Sequence, residues 1–300
     1  MPARFTRALG ALVLLFAGCA AAGAEEATDI SNAERIVSVG GSLTEIIYAF
    51  GEEDRLVGRD TTSVFPPAVF ELPDVGYMRQ LSPEGVLSVD PDAIIMIEGS
   101  GPPEAVDVLT KATVPVVTVP EGYDGDSILQ KIRMLGAALG VEDKAAQLAE
   151  RVKADLAATE QARKGTEPKR VLFALSLQGG KVMASGTGTA ANGAIEMAGA
   201  ENVITGFQGY KQLTDEAVIE AAPDVILLME RSDGGNQSNE DVLSNPALAQ
   251  TPAGRTGRIV RVNGAYLLNF GPRTATAVRD LVEVLAADRS ARVGEPPRSE

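Results

Sequence analysis

The 300-residue chain is long enough for two domains of ordinary size, and 45% of its residues are hydrophobic, as in a globular protein. Its formal net charge of −14 argues against binding to nucleic acid or to anionic lipid surfaces. The chain has no histidine and one cysteine, which removes the usual ligands of structural zinc, copper and iron–sulfur sites and the nucleophile–histidine pairs of hydrolases.

The N-terminus has the pattern of a cleavable secretion signal. Arg4 and Arg7 precede an apolar stretch, residues 8–22, that is too short to span a bilayer as a mature helix. Ala22-Gly23-Ala24 supplies small residues for a signal peptidase and predicts cleavage after this triplet, so we expect a periplasmic protein. A lipid anchor on Cys19, within the sequence FAGC, is the alternative.

The first half of the chain alternates between predicted strands and helices. Ser42-Leu43-Thr44-Glu45 has the spacing of a capping box, which predicts a helix from Ser42 to about Phe50. Ser82 is expected to cap a helix that has Pro83 in its first turn. The predicted strands are 35–39, a short one that starts at 56–58, 93–97 and 114–119, and the further helices are 83–89, 104–111 and 126–139. This alternation predicts a parallel sheet with helices on both faces.

Residues 142–163 are rich in alanine and charge and keep their apolar residues on one helical face. They predict a helix of about six turns between the two halves of the chain. Because a helix of this length is stiff, we expect the two halves to open only a little relative to each other.

The second half repeats the alternation, with predicted strands at 170–177, 182–184, 225–229 and 258–262 and a closing helix at 274–287. The glycine-rich loop 186–193 resembles a dinucleotide-binding sequence only superficially, and we interpret it as a strand-to-helix turn. We therefore predict an α/β fold of two doubly wound lobes with parallel sheets joined by one long helix. Its parts are a signal peptide (1–24), a polar arm (25–34), an N-terminal lobe (35–140), an interlobe helix (141–166), a C-terminal lobe (167–287) and a disordered tail (288–300).

An internal repeat supports the two lobes. Residues 81–98 and 213–230 align without gaps at a constant offset of 132, and Gly76-Tyr77 corresponds to Gly209-Tyr210 when one residue is gapped. Repetition at this distance predicts two lobes of one architecture and hence a cleft between them. The identical pairs are Leu81/Leu213, Glu84/Glu216, Val86/Val218, Pro91/Pro223, Asp92/Asp224, Ile94/Ile226 and Glu98/Glu230.

Tyr77 is the sharpest candidate ligand. A tyrosine after glycine in a loop is often only an amphipathic surface residue, but the charge of Arg79, two residues on, favours a phenolate here. Phenolate suits ferric iron, and tyrosine is a known haem ligand. In a chain without histidine, tyrosine is the strongest candidate ligand for haem iron, and methionine is the softer alternative.

Glu84 and Glu216 are related by the repeat and lie near the starts of equivalent predicted helices. Either they only compensate the helix dipoles, or they form a pair of acidic contacts, one on each lobe. The pattern alone leaves both interpretations open.

The sequence blocks RIVSVGGSLTEIIYAFG, GYMRQLSPEGVLSVDPDAII, ALAQTPAGRTGRIV and FGPRTATAVRDL resemble the haem-binding periplasmic proteins of bacterial ABC importers. These belong to a helix-linked cluster that also carries cobalamin and ferric siderophores. The similarity runs from about residue 35 to residue 287. It implies that Tyr77 is the axial ligand of a ferric haem b, and that Arg231 lies on the opposite side of the pocket. Tyr210 and Arg79 are then contacts around the ligand or to its propionates.

The same resemblance implies that Glu84 and Glu216 dock on an ABC permease dimer that works with its ATPase. Some relatives stack two haems with a histidine of the second lobe, and the absence of histidine here favours one. We expect a monomer that transports haem and is not an enzyme. A ferric-siderophore or cobalamin carrier of the same fold is the first alternative, and an exported enzyme with a carboxylate pair is the second.

Overall fold

Two β-sheets, one in each half of the chain, organise the fold. The computed structural model describes residues 28–230, 237–287 and 291–294. The predicted signal peptide, with Cys19, lies outside the described residues, as does Arg231. None of the helices in these described ranges combines the length and the apolar character that a bilayer crossing requires.

The first sheet is fully parallel and is covered on both faces. Its half of the chain contains β1 (Ile36–Val39), α1 (Gly41–Phe50), β2 (Leu56–Arg59), α2 (Pro83–Leu87), β3 (Ala93–Ile97), α3 (Pro103–Lys111), β4 (Val116–Val119) and α4 (Gly125–Leu139). The strand order is β2-β1-β3-β4. Along β3, Ile95 and Ile97 pack in the cluster that contains α1 and α4, whereas Ile94 and Met96 pack in the cluster that contains α2 and α3. This is the doubly wound arrangement that the sequence predicts.

A single long helix, α5 (Glu142–Ala162), connects the two halves. Its buried face includes Leu148 and Val152, which belong to one apolar cluster that also holds Ile36 of the first sheet and Val171 of the second. α5 packs against α4 on one side and against the last helix of the chain on the other. The connection is therefore part of a continuous core, as a stiff interlobe helix should be.

The second sheet is parallel at its centre and antiparallel at one edge. Its half of the chain contains β5 (Arg170–Gln178), β6 (Lys181–Ser185), α6 (Ala190–Met197), β7 (Glu201–Asn202), β8 (Tyr210–Gln212), α7 (Asp215–Ala221), β9 (Val225–Met229), α8 (Asn239–Leu243), α9 (Pro246–Gln250), α10 (Pro252–Thr256), β10 (Ile259–Val262), α11 (Gly264–Leu268), α12 (Thr274–Ala286) and β11 (Ala291–Val293). The order is β11-β10-β9-β5-β6-β8, with β7 paired to β5.

β6 runs antiparallel to both β5 and β8. The reason is local: Gly179 (φ 57°) and Gly180 (φ 74°) form a two-residue connection with both φ angles positive, the geometry of a tight hairpin. The sequence pattern alone left the direction of β6 open. The predicted α/β fold of two lobes with parallel sheets is otherwise confirmed.

The internal repeat has a structural counterpart in each lobe. Asp92 accepts a hydrogen bond from the backbone N–H of Arg35 (2.9 Å), and Asp224 accepts one from the backbone N–H of Arg170 (3.0 Å). Each aspartate thus joins the start of a repeated strand to the start of the lobe's first strand. Asp90 (φ 52°), which precedes this turn in the first lobe, has a left-handed counterpart in the second at the same offset of 132 residues, Ala222 (φ 41°).

Two expectations need correction. The predicted capping box is wrong: α1 begins at Gly41, so Ser42 lies within the helix, and the N-cap Gly40 has no side chain. The Glu45 carboxylate bonds to Arg273 of the second lobe. The tail 288–300 was expected to be disordered, but β11 pairs with β10 and buries Val293 within it. The lobe boundaries themselves remain a prediction.

Candidate functional site

The loop between β2 and α2, which carries the first predicted ligand, has a fixed backbone. Gly76 adopts φ 108°, in the region that favours glycine, and its carbonyl accepts a hydrogen bond from the Thr61 N–H (3.0 Å). The Gly101 N–H donates to the Met78 carbonyl (2.8 Å), and the Leu81 N–H donates to the Gly101 carbonyl (2.7 Å). Because these bonds hold the loop to two neighbouring segments, its side chains leave it at defined positions.

Two predicted site residues extend from this loop into solvent. Tyr77 is 42% exposed, and Arg79 is exposed as well. Among the residues that the structure describes, the Tyr77 hydroxyl makes no hydrogen bond and Arg79 has no carboxylate partner. The phenol and the guanidinium are therefore both accessible to a ligand.

The charge of Arg79 acts on two further phenols, Tyr123 and Tyr210. Burial raises the pKa of both phenols, and for Tyr123 the Glu121 charge adds to this effect. The charge of the Arg79 cation opposes the increase in pKa at both phenols. Both phenols therefore stay protonated near neutral pH. Since Arg79 and Tyr123 belong to the first half of the chain and Tyr210 to the second, the three side chains lie where the lobes face each other.

Tyr210 is the first residue of β8, and its side chain is 38% exposed. Burial raises the pKa of its hydroxyl, and polar groups at the start of α6 (Thr189, the backbone of Ala191 and Ser185) offset part of that increase. Thr189 also caps α6 by accepting from the Asn192 N–H (3.0 Å). The glycine-rich loop thus forms a strand-to-helix turn, and Tyr210 is one of its contacts.

Tyr123 was not among the predicted site residues. It lies in the connection between β4 and α4, which is held on both sides of the tyrosine. The Lys131 ammonium, 1% exposed, donates to the Glu121 carboxylate (2.6 Å). Asp124 caps α4 by accepting from the Ser127 N–H (2.7 Å). The backbone on either side of Tyr123 is therefore fixed by side chains of α4.

A sequence signal for Tyr123 was present. Three of the five tyrosines follow a glycine: Gly76-Tyr77, Gly122-Tyr123 and Gly209-Tyr210. Gly76 and Gly209 have positive φ angles, and at Gly122 an added Cβ would lie 2.1 Å from the Ser127 Oγ. Each of these turns requires glycine for a physical reason, and each presents its tyrosine where the lobes meet or on the loop beside Arg79.

The lobes touch directly at Tyr123. An added Cβ on Gly193 of α6 would lie 2.2 Å from the Tyr123 carbonyl oxygen, so a glycine is required where the two lobes approach. The Tyr123 ring packs edge-to-face on Phe270, with 5.3 Å between centroids. The first lobe's tyrosine is therefore anchored on two residues of the second.

Glu84 and Glu216 do not belong to this cluster. Each is exposed in the first turn of a short helix, α2 or α7. The Ser82 hydroxyl donates to Glu84 (2.8 Å) and lowers its pKa, and the pKa of Glu216 is lowered by its own backbone N–H and by Thr214. Both carboxylates are therefore ionised and accessible near neutral pH, in equivalent positions of the two lobes.

Comparison with known proteins places these features in a family. The sequence pattern of the family described as Periplasmic binding protein matches residues 36–266. A solved structure of the periplasmic heme-binding protein BhuT, in complex with two hemes, is 39% identical, with a TM-score of 0.81 over 85% of this chain and 98% of that one. The periplasmic heme-binding protein RhuT from Roseiflexus sp. RS-1, in apo form, is 38% identical, with a TM-score of 0.80 and the same coverage.

Two curated relatives are more distant. The uncharacterized ABC transporter substrate-binding lipoprotein YvrC of Bacillus subtilis is 29% identical over 268 residues, which are 85% of this chain and 81% of YvrC. The vitamin B12-binding protein of Yersinia pestis is 24% identical over 256 residues, or 85% of this chain and 87% of that protein.

Proposed function

Since the chain belongs to the family of periplasmic binding proteins, we propose that it captures ferric haem b between its lobes and delivers it to an ABC permease. Members of the family bind substrates for transport, and two of the similar structures are heme-binding proteins at 38–39% identity. The proposed action is therefore capture and release of a cargo without chemical conversion. A signal peptide of residues 1–24 would bring the chain to the periplasm, with a lipid anchor on Cys19 as the alternative.

The observation that carries the proposal is the accessible phenol of Tyr77 on a loop with a fixed backbone. Tyrosine is an established ligand of haem iron, and the chain contains no histidine to compete for that role. Tyr123 and Tyr210 are the less suitable candidates, because burial raises their pKa and disfavours the phenolate. We therefore assign the axial bond to Tyr77.

Arg79 and Tyr210 are proposed to contact the periphery of the haem. Haem is a flat apolar disc with two carboxylates on one edge, so a cleft that binds it needs cations beside its aromatic surfaces. Arg79 has no carboxylate partner among the described residues, and its charge is therefore available to a propionate. Arg231 is proposed for the opposite side of the pocket.

Glu84 and Glu216 are proposed as the contacts to the permease dimer, one for each subunit. They are exposed, they are ionised near neutral pH, and the repeat gives them equivalent positions in the two lobes. A two-fold acidic pattern fits a partner with two equivalent basic pockets. We propose that the protein acts as a monomer carrying one haem.

A ferric-siderophore or cobalamin carrier is the second candidate, favoured by the relative in Yersinia pestis that is named a vitamin B12-binding protein. The deciding experiment is a set of absorbance titrations of the mature protein with haemin, cyanocobalamin and a ferric hydroxamate siderophore. We expect a saturable change with haemin at a ratio of one and none with the other two. Saturation by cyanocobalamin or the siderophore, with haemin inert, would reject the haem proposal in favour of the second candidate.

A further inference from the structure

We propose that Thr62 is a positioning residue that keeps the Tyr77 phenol directed at the iron of the bound haem, with buried Asp60 as its anchor. Both residues lie in the turn that follows β2, residues 60–63. The inference rests on the proposed function, since it concerns how the assigned iron ligand is held. Neither residue belongs to the internal repeat or to the sequence blocks that carry the family resemblance.

The turn after β2 contacts the loop of Tyr77 on both sides of the tyrosine. On one side, the Thr61 N–H donates a hydrogen bond to the Gly76 carbonyl (3.0 Å). On the other side, the Thr62 Oγ1 lies 3.9 Å from the Met78 Sδ. Because the Tyr77 side chain is exposed, the direction in which it leaves the loop is set by its backbone neighbours, and this turn holds both of them.

Asp60 gives the turn a single conformation. Its side chain is fully buried, and its carboxylate accepts hydrogen bonds on both oxygens. Oδ1 accepts the Gly40 N–H (3.0 Å) and the Ser63 hydroxyl (2.8 Å). Oδ2 accepts the N–H (3.0 Å) and the hydroxyl (2.7 Å) of Thr62. Since a buried carboxylate is costly unless it is hydrogen-bonded, any other arrangement of the turn is disfavoured.

The Thr62 hydroxyl joins this buried carboxylate to the rest of the first lobe. It accepts the Gly41 N–H (3.0 Å) at the start of α1 and donates to Asp60 (2.7 Å). The same oxygen makes the contact with Met78. One half-buried hydroxyl therefore links α1, the carboxylate and the loop of Tyr77, so its removal should free the loop to take more than one position.

The loop needs this support because an iron–phenolate bond forms only when the oxygen approaches the metal from a narrow range of directions. Removing a residue that orients a metal ligand typically costs about 10–100-fold in metal affinity. Tyr77 lies in a loop with an exposed side chain, so its orientation comes from the backbone. A fixed loop also lowers the entropy that the tyrosine loses on binding.

Three variants isolate the hydroxyl. Thr62→Val keeps the shape of the side chain and removes the oxygen, whereas Thr62→Ser keeps the oxygen. Thr251→Val is the matched control, because the Thr251 hydroxyl makes hydrogen bonds of the same lengths at the start of α10 in the second lobe. It accepts the Gly254 N–H (3.0 Å) and donates to the Leu248 carbonyl (2.7 Å). Urea denaturation checks that each variant folds and measures its loss of stability.

The test is a set of absorbance titrations with haemin and with iron-free protoporphyrin IX, which has the same ring and carboxylates but no metal. We expect Thr62→Val to bind haemin about tenfold more weakly, with a shifted ferric phenolate band, and to bind protoporphyrin IX as the unaltered protein does. Thr62→Ser and Thr251→Val should bind both compounds normally. In a Tyr77→Phe background, Thr62→Val should have no further effect on haemin affinity, because there is no phenol left to position.

Equal weakening of haemin and protoporphyrin IX binding by Thr62→Val would overturn the inference, because Thr62 would then shape the pocket without acting on the iron bond. Normal haemin binding by Thr62→Val, an equal loss in Thr62→Ser or Thr251→Val, or an undiminished effect in the Tyr77→Phe background would overturn it as well. Failure of the unaltered protein to bind haemin, or unchanged haemin binding in Tyr77→Phe, would instead reject the proposed function or its axial assignment, and this inference with it.

Discussion

Glu45 and Arg273 are 228 residues apart in sequence, yet they form an ion pair of 2.9 Å between the lobes. The Glu45 carboxylate also accepts the backbone N–H of Arg273 (2.9 Å), and the guanidinium lies 3.4 Å from the centre of the Phe65 ring. Glu45 is 4% exposed. One buried carboxylate in α1 thus fixes the residue from which α12 starts.

This pair should contribute to the stability of the whole molecule. Glu45→Gln keeps the shape of the side chain but removes its charge, and we expect it to lower the free energy of unfolding by about 1–3 kcal/mol. Urea denaturation at neutral pH measures the difference. Asp107→Asn, which breaks an exposed pair with Lys111 in α3, is the control and should have no measurable effect. Equal stability of the two variants would contradict the role given to Glu45.

Tyr77→Phe tests the axial ligand. The variant should lose the absorption band of a ferric phenolate and bind haemin at least about 100-fold more weakly, because a direct metal bond is worth more than the outer contacts that cost 10–100-fold. Absorption spectra during haemin titration report both quantities. Tyr48→Phe serves as the control, because Tyr48 is a half-buried phenol of α1 whose charged neighbours are Glu53 and Glu71. An unaltered spectrum in Tyr77→Phe would show that another side chain binds the iron.

The acidic pair should act in delivery and leave capture intact. Glu84→Ala with Glu216→Ala is expected to stop haem-dependent growth of a strain that relies on the importer, while haemin affinity in solution stays within about twofold. Glu142→Ala with Glu240→Ala removes two other first-turn carboxylates, from α5 and α8, and should leave growth intact. Loss of haemin binding in the first double variant would place those carboxylates in the pocket.

Asp124 predicts a pH dependence of stability. Hydrogen bonds from Ser127 lower its pKa below the ordinary value of 3.8. For a carboxyl whose pKa is lower in the folded state, the stabilisation is complete above the unfolded value and is lost as the pH falls through the folded one. Asp124→Ala should therefore cost about 1 kcal/mol at pH 7, the usual effect of losing an N-cap.

The difference in the free energy of unfolding between Asp124→Ala and the unaltered protein should shrink when the pH is lowered below 3.8. The unaltered protein then also loses the hydrogen bonds between Ser127 and the Asp124 carboxylate. Urea denaturation of both proteins at pH 7 and near pH 3 makes the comparison. A cost that stays constant between these two pH values would mean that the cap does not depend on the charge of Asp124.

The sequence by itself determines which helices and strands form and the order in which they follow each other. β3 is an uninterrupted apolar run because it is buried on both faces, and Ser82 with Pro83 starts α2 through contacts within three residues, so local sequence suffices for both. The repeat predicted two lobes, and it also identified Tyr77, Tyr210 and the pair of glutamates. These features follow from local residue patterns and from the internal repeat, both of which can be read from a single sequence.

Only the tertiary structure decided which residues that are distant in sequence come into contact. Glu45 has the right spacing for a capping box with Ser42, but α1 begins one residue earlier, at Gly41, and the buried Glu45 carboxylate pairs with Arg273 of the other lobe. Tyr123 follows a glycine as Tyr77 and Tyr210 do, yet its place between the lobes depends on Phe270 of the second lobe packing against its ring. No local pattern encodes these neighbours, because they arise from the packing of two separately formed sheets around one helix.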